Sequence, residues 1–123
     1  MTDKPNYNFN MDLKYDYLQK ISVPEIVENN KEKWMNQSLC KVNDSVLRLG
    51  IFEGEFHWHK HDDDDEAFFI LNGSLEIETE KGNFHLNEQE GVCIPKGVQH
   101  RPIAKKKTIV LMVENLGIKP AGD

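Results

Sequence analysis

The chain has 123 residues, of which 38% are hydrophobic and 29% charged, as expected for one globular domain without a second, substrate-binding domain. Its net charge is −6 and its one basic run is Lys105 to Lys107, so it lacks the basic face that phosphate contacts require, and we expect no nucleic-acid partner. No apolar run approaches the roughly 20 residues that span a bilayer, and residues 1–10 lack the apolar core of a signal peptide. We therefore expect a cytoplasmic protein that does not bind membranes.

The N-terminal part of the chain differs from the rest. Residues 1–20 are polar with interspersed aromatic residues, and we interpret them as an extension that either docks on the domain or adds a strand to a neighbouring chain. Residues 24–30 are predicted to form one short helix, because proline is favoured in the first helical turn. Residues 21–123 are predicted to form a single domain.

From Trp34 onward the pattern is typical of short strands. Apolar residues alternate in 45–52 and again in 56–61, which is the two-residue period of a strand. Residues 67–71 form a continuous apolar run, which predicts a strand covered on both faces, and Asn72-Gly73 after it is a hairpin signal. Turns are predicted at 81–83 and 105–107, and further strands at 75–79, 84–86, 91–94, 98–101 and 108–114. Closely spaced strands with turns between them indicate an all-β sandwich or barrel.

Three histidines and one glutamate suggest a metal site. His59 and His61 are two residues apart, so on a strand both point the same way, and both imidazoles can bind one ion at about 2.1 Å. Glu66 would open the next strand and point back at the same ion, while His100 would close the site from a distant strand. Three neutral nitrogens and one carboxylate suit Zn, Fe, Mn, Ni or Co, and this ligand set does not choose among them.

Two further polar residues lie near these candidates. His57 shares the parity of His59 and could be a ligand, a rim residue or an outer hydrogen-bonding partner; we favour one of the last two roles, because four ligands already satisfy the site. The acidic run Asp62 to Asp65 is predicted to be a solvated turn, since adjacent carboxylates repel each other and a short turn cannot aim all of them at one ion. Within it, Asp65 is the candidate for orienting a ligand.

The walls of the predicted cup follow from strand parity. Phe68 and Ile70 share the parity of Glu66 and are expected to line the cup with apolar surface. Arg48 has parity opposite to Leu47 and Leu49, so it is either an outward, paired arginine or a substrate anchor. We favour the outward position, because charged strand residues usually face water. Arg101, next to His100, carries the same two alternatives.

Two motifs resemble those of the cupin superfamily. His59-x-His61, four residues, Glu66, six residues and Gly73 is similar to the first cupin motif, and Pro95-x-Gly97-x-x-His100 is similar to the centre of the second. The likeness covers residues 21–123 and is greatest to small, single-domain cupins. It implies a double-stranded β-helix, the jelly-roll barrel, with one short N-terminal helix, and it implies that the three histidines and Glu66 bind the metal.

The resemblance also implies a small set of possible functions. Cupins with three histidines and a glutamate include dioxygenases, decarboxylases and sugar-phosphate isomerases, which implies a metal-dependent enzyme acting on a small polar molecule. The alternative is a non-catalytic module that senses a small ligand or a metal; a purely structural role comes last, since it needs no metal ligands. Cupins often pair through a sheet face, and Phe69 and Leu71 have parity opposite to the cup, so we expect a homodimer.

Overall fold

The computed structural model describes residues 6–123. Its elements, in chain order, are β1 (Tyr7–Asn10), α1 (Val23–Asn29), β2 (Trp34–Val42), β3 (Ser45–Glu55), β4 (Glu66–Asn72), β5 (Leu75–Thr79), β6 (Gly82–Leu86), β7 (Gly91–Ile94) and β8 (His100–Asn115). The fold is all-β and jelly-roll-like with one short helix among these residues, as predicted. None of its helices in the described range is long and apolar enough to cross a membrane.

The strand β8 organises the sheet. The strand order is β1-β2-β3-β8-β4-β7, and β5 pairs with both β6 and β8. The N-terminal end of β8 pairs with β5 over His100–Ile103, and its remainder lies between β3 and β4. Because the 16-residue strand β8 pairs with three other strands, the sheet curls around it and encloses a cup.

Apolar side chains pack on both faces of the curled sheet. Inside the cup, alternate residues of β4 are buried, including Phe68 and Ile70, as strand parity predicts. Outside, α1 covers part of the sheet and buries Ile26 against Leu49 and Ile51. The Ser22 hydroxyl caps this helix by accepting a hydrogen bond from the Glu25 backbone N–H.

The N-terminal residues join the sheet of their own chain. Residues 7–10 form β1, which pairs in parallel with β2 from Tyr7 opposite Trp34 onward. Tyr7 and Phe9 pack against the core cluster inside the cup. Residues 1–5 of the predicted extension lie outside the described part of the chain.

Several local predictions are wrong. Residues 56–61 do not form a strand, since only His59 makes a single bridge, to His100. Residues 67–71 are not covered on both faces, because Phe69 is 44% exposed. Asn72-Gly73 is a turn with positive φ at Gly73, but β4 pairs with β7 and β8 instead of β5, so it closes no hairpin. The predicted turn at 105–107 is an exposed stretch within β8.

Candidate metal centre

Backbone pairing brings three chain segments together at the centre. His59 and His61 lie on the extended connection between β3 and β4, Glu66 begins β4, and His100 begins β8. The backbones of His59 and His100 exchange two hydrogen bonds, of 3.0 and 2.8 Å. The Gly97 N–H donates to the His61 carbonyl at 2.8 Å. These bonds tie the first histidine motif to the second.

The four predicted ligands converge. One donor atom from each of His59, His61, Glu66 and His100 lies within 4.8 Å of the other three, and all four residues are buried. The Glu66 Oε1 atom is 3.2 Å from His100 Nε2 and 3.6 Å from His61 Nε2. Ligands held at about 2.1 Å from one ion lie at most about 4.2 Å apart, so small side-chain adjustments suffice. The cluster is compatible with a metal ion.

Hydrogen bonds orient two of the imidazoles. His59 Nδ1 donates to the His57 carbonyl at 3.0 Å, and His100 Nδ1 donates to the Val98 carbonyl at 2.9 Å. A carbonyl only accepts, so each bond favours the tautomer whose Nε2 lone pair faces the cluster. Both nitrogens of His61 are buried without a hydrogen-bond partner among the described residues. An orphaned buried nitrogen at this point fits a metal ligand.

The electrostatics favour the ligating protonation states. Burial, followed by the neighbouring His100, lowers the pKa of His59 to about 4, so its imidazole is neutral at neutral pH. Burial alone would raise the pKa of Glu66, but the adjacent imidazoles of His100 and His61 outweigh it and lower that pKa. The centre therefore offers a carboxylate and at least one neutral imidazole, the forms that bind divalent cations.

A small cavity of about 20 Å³ lies beside the cluster and is lined in part by His59 and Glu66. Its walls are largely aromatic, from Phe9, Trp34, Phe52, Phe56 and Phe68. Asn36 adds an amide whose Oδ1 atom is buried without a hydrogen-bond partner among the described residues. A volume of this size admits roughly one water-sized group.

His57, Arg101 and Asp65 do not enter the cup. His57 is exposed, and its Nε2 atom lies 2.8 Å from the Ala121 carbonyl; its contribution to the centre is the backbone carbonyl that accepts from His59. Arg101 is half-buried and binds Glu78 at 2.6 Å on the outer surface. Asp65 is exposed and accepts from the Lys96 N–H at 2.9 Å, which joins the start of β4 to the second motif.

The favoured outward position of Arg48 is wrong. Arg48 is fully buried, with Nη1 3.4 Å from Oε2 of Glu114, which is also fully buried. Residues 48–52 of β3 are buried on both faces, so a charged residue among them had no solvent-facing position. The sequence reasoning missed Glu114, although it shares the parity of the buried Val110 and Met112 on β8.

Glu114 is the neighbour of the candidate ligand Glu66. Burial, followed by repulsion from Glu66, raises the pKa of Glu114 well above its ordinary value, although Arg48 opposes the rise. The two residues lie directly opposite each other in the β4–β8 register. The ionised form is therefore favoured at Glu66 and the protonated form at Glu114.

The sequence reasoning also did not predict that the C-terminal residues contact the histidine segment. The Asp123 N–H donates to the Lys60 carbonyl at 2.8 Å, and the Asp62 N–H donates to the Asp123 carboxylate at 2.7 Å. Gly122 has φ +94°, and a Cβ placed there would lie 2.6 Å from the Cβ of His59. This close approach supports the histidine segment from outside the cup.

Comparison with known proteins agrees with the fold. The family model described as a cupin domain matches residues 50–114. The uncharacterized protein YdbB of Bacillus subtilis (strain 168) is 41% identical over 91 residues, which cover 73% of this chain and 80% of that protein. The chain belongs to the cupin family.

Two solved structures are similar. A cupin-2 domain containing protein from Shewanella frigidimarina NCIMB 400 is 34% identical, with a TM-score of 0.72, over 77% of this chain and 93% of the other. Protein NMB1881 from Neisseria meningitidis is 22% identical, with a TM-score of 0.69, over 79% of this chain and 99% of that protein. The second likeness concerns the fold alone.

Proposed function

We propose that this cupin binds one divalent transition metal through His59, His61, Glu66 and His100, and acts as a metal-dependent enzyme on a small polar molecule. The convergence of four buried donor atoms within 4.8 Å is the observation that carries the proposal. When bound, such an ion supplies Lewis-acid or redox chemistry at a substrate oxygen. Dioxygenase, decarboxylase and isomerase chemistry all fit this description.

The residues around the cluster suit a small substrate. The aromatic walls beside His59 and Glu66 exclude bulk water and so strengthen electrostatic interactions within the cup. The Asn36 amide offers one hydrogen-bonding group that is not part of the ligand set. Phe9 of β1 and Pro120 of the C-terminal segment also line the cavity, so displacement of these peripheral segments would admit a larger molecule.

The alternative is a non-catalytic module that senses a small ligand or a metal. One observation favours it. Among the residues that line the cavity, the titratable groups are His59 and Glu66, both candidate ligands. General acid–base catalysis needs a group free to exchange a proton with the substrate, and none lines this cavity apart from the ligands.

We further propose that the protein works in the cytoplasm as a homodimer, with a small molecule as its other partner. Phe69 and Val113 are 44% and 49% exposed on the outer face of β4 and β8, where neighbouring strands place them close together. Exposed apolar surface of this kind suits self-association. The net charge of −6 supports the absence of a nucleic-acid partner.

Elemental analysis of untagged protein tests the metal site. The comparison is between the wild type, the double variant His59→Ala/His100→Ala, and the control His85→Ala, which removes an exposed histidine on β6. We expect about one transition metal per chain in the wild type and the control, and loss of the metal in the double variant. A wild type that stays empty after reconstitution with each of Zn, Fe, Mn, Ni and Co contradicts the proposal.

A second measurement separates the enzyme from the binding module. Azide added to Co²⁺-loaded protein changes the visible absorption when a coordination position is open to exogenous ligands, as an enzyme requires. An unchanged spectrum at saturating azide indicates a closed site and favours the sensing role.

A further inference from the structure

The most unusual feature that the proposed function leaves unused is a buried arginine–glutamate pair behind the metal site. Arg48 and Glu114 are both fully buried, 3.4 Å apart. We infer that Arg48, acting through Glu114, is a positioning residue that fixes the Glu66 carboxylate for metal binding. This inference rests on the proposed function.

The strand order places the three side chains in a row. Arg48 lies on β3, Glu114 on β8 and Glu66 on β4, and β8 runs between the other two. Glu114 is directly opposite Glu66 in the β4–β8 register. The Glu66 Oε1 atom lies 3.2 Å from His100 Nε2 and 3.6 Å from His61 Nε2, and both histidines are candidate ligands themselves. Glu114 is thus a neighbour that can hold the carboxylate without competing for the ion.

Arg48 in turn is held from two sides. Its Nη1 atom contacts Glu114, and its Nη2 atom lies 3.3 Å from the Met11 sulfur, while Nε has no partner among the described residues. The guanidinium has one carboxyl partner among the described residues, so its direct contact within the row is with Glu114. A shift of Arg48 would move Glu114, and Glu114 would carry that shift to Glu66.

Stability alone is a weak reason for this pair. Burying a charged arginine costs several kcal/mol of hydration, and apolar residues of similar size are often as stabilising as such a pair. Residues that contact a metal ligand from behind, in contrast, fix its orientation, and their loss typically weakens metal binding about 10–100-fold. The position of the pair behind Glu66 fits the second role.

The test compares metal affinity with stability in four variants. Arg48→Met/Glu114→Met removes the whole pair, Arg48→Met removes one partner, and Arg48→Lys keeps the charge but not the forked geometry. Leu47→Met is the matched control, because Leu47 is half-buried in the same strand and packs on the opposite face. The readouts are the Zn²⁺ dissociation constant from chelator competition, the absorption of the Co²⁺-loaded protein, and the thermal midpoint of the metal-stripped protein.

We expect the double variant to stay folded, to bind Zn²⁺ about 10–100-fold more weakly and to show an altered Co²⁺ spectrum. We expect Leu47→Met to match the wild type in all three readouts. A folded double variant with wild-type affinity and spectrum overturns the inference and leaves the proposed metal site intact. If the double variant does not fold, Arg48→Lys decides: unchanged Zn²⁺ affinity and spectrum overturn the inference, and weaker binding at a retained thermal midpoint supports it. A wild type that binds no metal overturns both proposals.

Discussion

Glu66 and Glu114 lie directly opposite each other on the adjacent strands β4 and β8, and both are buried. Two carboxyl groups in such contact cannot both stay ionised without a large repulsion. The pKa of Glu66 is lowered, because contacts with His100 and His61 outweigh its burial, and the pKa of Glu114 is raised by burial and by Glu66. Glu66 thus offers a carboxylate to the centre, while Glu114 favours its protonated form and also contacts Arg48.

This arrangement makes the two obvious substitutions of Glu114 unequal. Glu114→Gln keeps a hydrogen-bond donor for Glu66 and an oxygen for Arg48, so we expect a loss of no more than about 1 kcal/mol in the free energy of unfolding. Glu114→Leu leaves the buried Arg48 without its carboxyl partner, and we expect a loss of about 3–5 kcal/mol. Urea unfolding of the metal-stripped proteins measures both. Equal losses in the two variants would contradict this account.

The pKa of His59 makes the stability of the metal-stripped protein depend on pH. The unfolded histidine titrates near 6.5 and the folded one near 4, because burial disfavours the imidazolium. Between these values the unfolded chain binds a proton that the folded chain does not, so stability is full above pH 6.5 and falls as the pH falls towards 4. The shift corresponds to about 3 kcal/mol.

Glu66 adds to the loss at still lower pH, because its pKa is also lowered on folding. The control for His59 is His59→Gln, which cannot titrate. We expect its stability to depend less steeply on pH between 6.5 and 4 than that of the wild type, as measured by urea unfolding at a series of pH values. Identical slopes for the two proteins would contradict the burial of a neutral His59.

The close approach of Gly122 to His59 predicts a glycine-specific effect. Alanine at this position is strained, because φ is +94° and its Cβ would lie 2.6 Å from the Cβ of His59. We expect Gly122→Ala to reduce stability by roughly 1 kcal/mol or more and to weaken Zn²⁺ binding, since His59 or the C-terminal segment must move. Gly117→Ala is the control, because its Cβ would meet no atom closer than 4.0 Å. Equal Zn²⁺ affinities for the two variants would show that the segment does not support His59.

The sequence predicted the four residues of the buried cluster because its signals are local. The His59-x-His61 spacing, the glutamate that follows it and the Pro95-x-Gly97-x-x-His100 motif each describe a short piece of chain. The structure brings these pieces together through pairing at His59 and His100. The strand positions were predictable for the same reason, since alternation is a property of neighbouring residues.

The wrong predictions of side-chain orientation arose where alternation along a strand was the only information. On β3, both faces are covered, the cup face by the barrel and the outer face by α1, so alternation could not say which side Arg48 would take. At His57, parity failed because residues 56–61 are not a regular strand. The role of Glu114 beside Glu66 and that of Gly122 beside His59 depend on contacts distant in sequence, which no local pattern encodes.

The expected homodimer stays a prediction, and the exposed apolar side chains on β4 and β8 provide its test. Phe69→Glu places a charge on the exposed outer face and leaves the cup unchanged, because Phe69 points away from Phe68 and Ile70. We expect light scattering after size exclusion to give a dimer for the wild type and a monomer for this variant. Phe84→Glu, at a similarly exposed aromatic residue on β6, is the control. A strictly monomeric wild type removes the prediction.

Substitution of Asn36 is expected to change ligand binding without reducing stability. Its Oδ1 atom is buried without a partner within residues 6–123, so Asn36→Leu should be neutral or should stabilise the protein by about 1 kcal/mol. Gln37→Leu is the matched control on the next residue of β2: Gln37 Nε2 donates to the carbonyls of Asp12 and Ser38, so its loss should destabilise the protein by about 1–3 kcal/mol. We expect Asn36→Leu to alter azide binding to the Co²⁺-loaded protein, because the amide lines the cavity beside His59 and Glu66. A destabilised Asn36→Leu variant with unchanged azide affinity would mean that the amide is structural and does not contact the ligand.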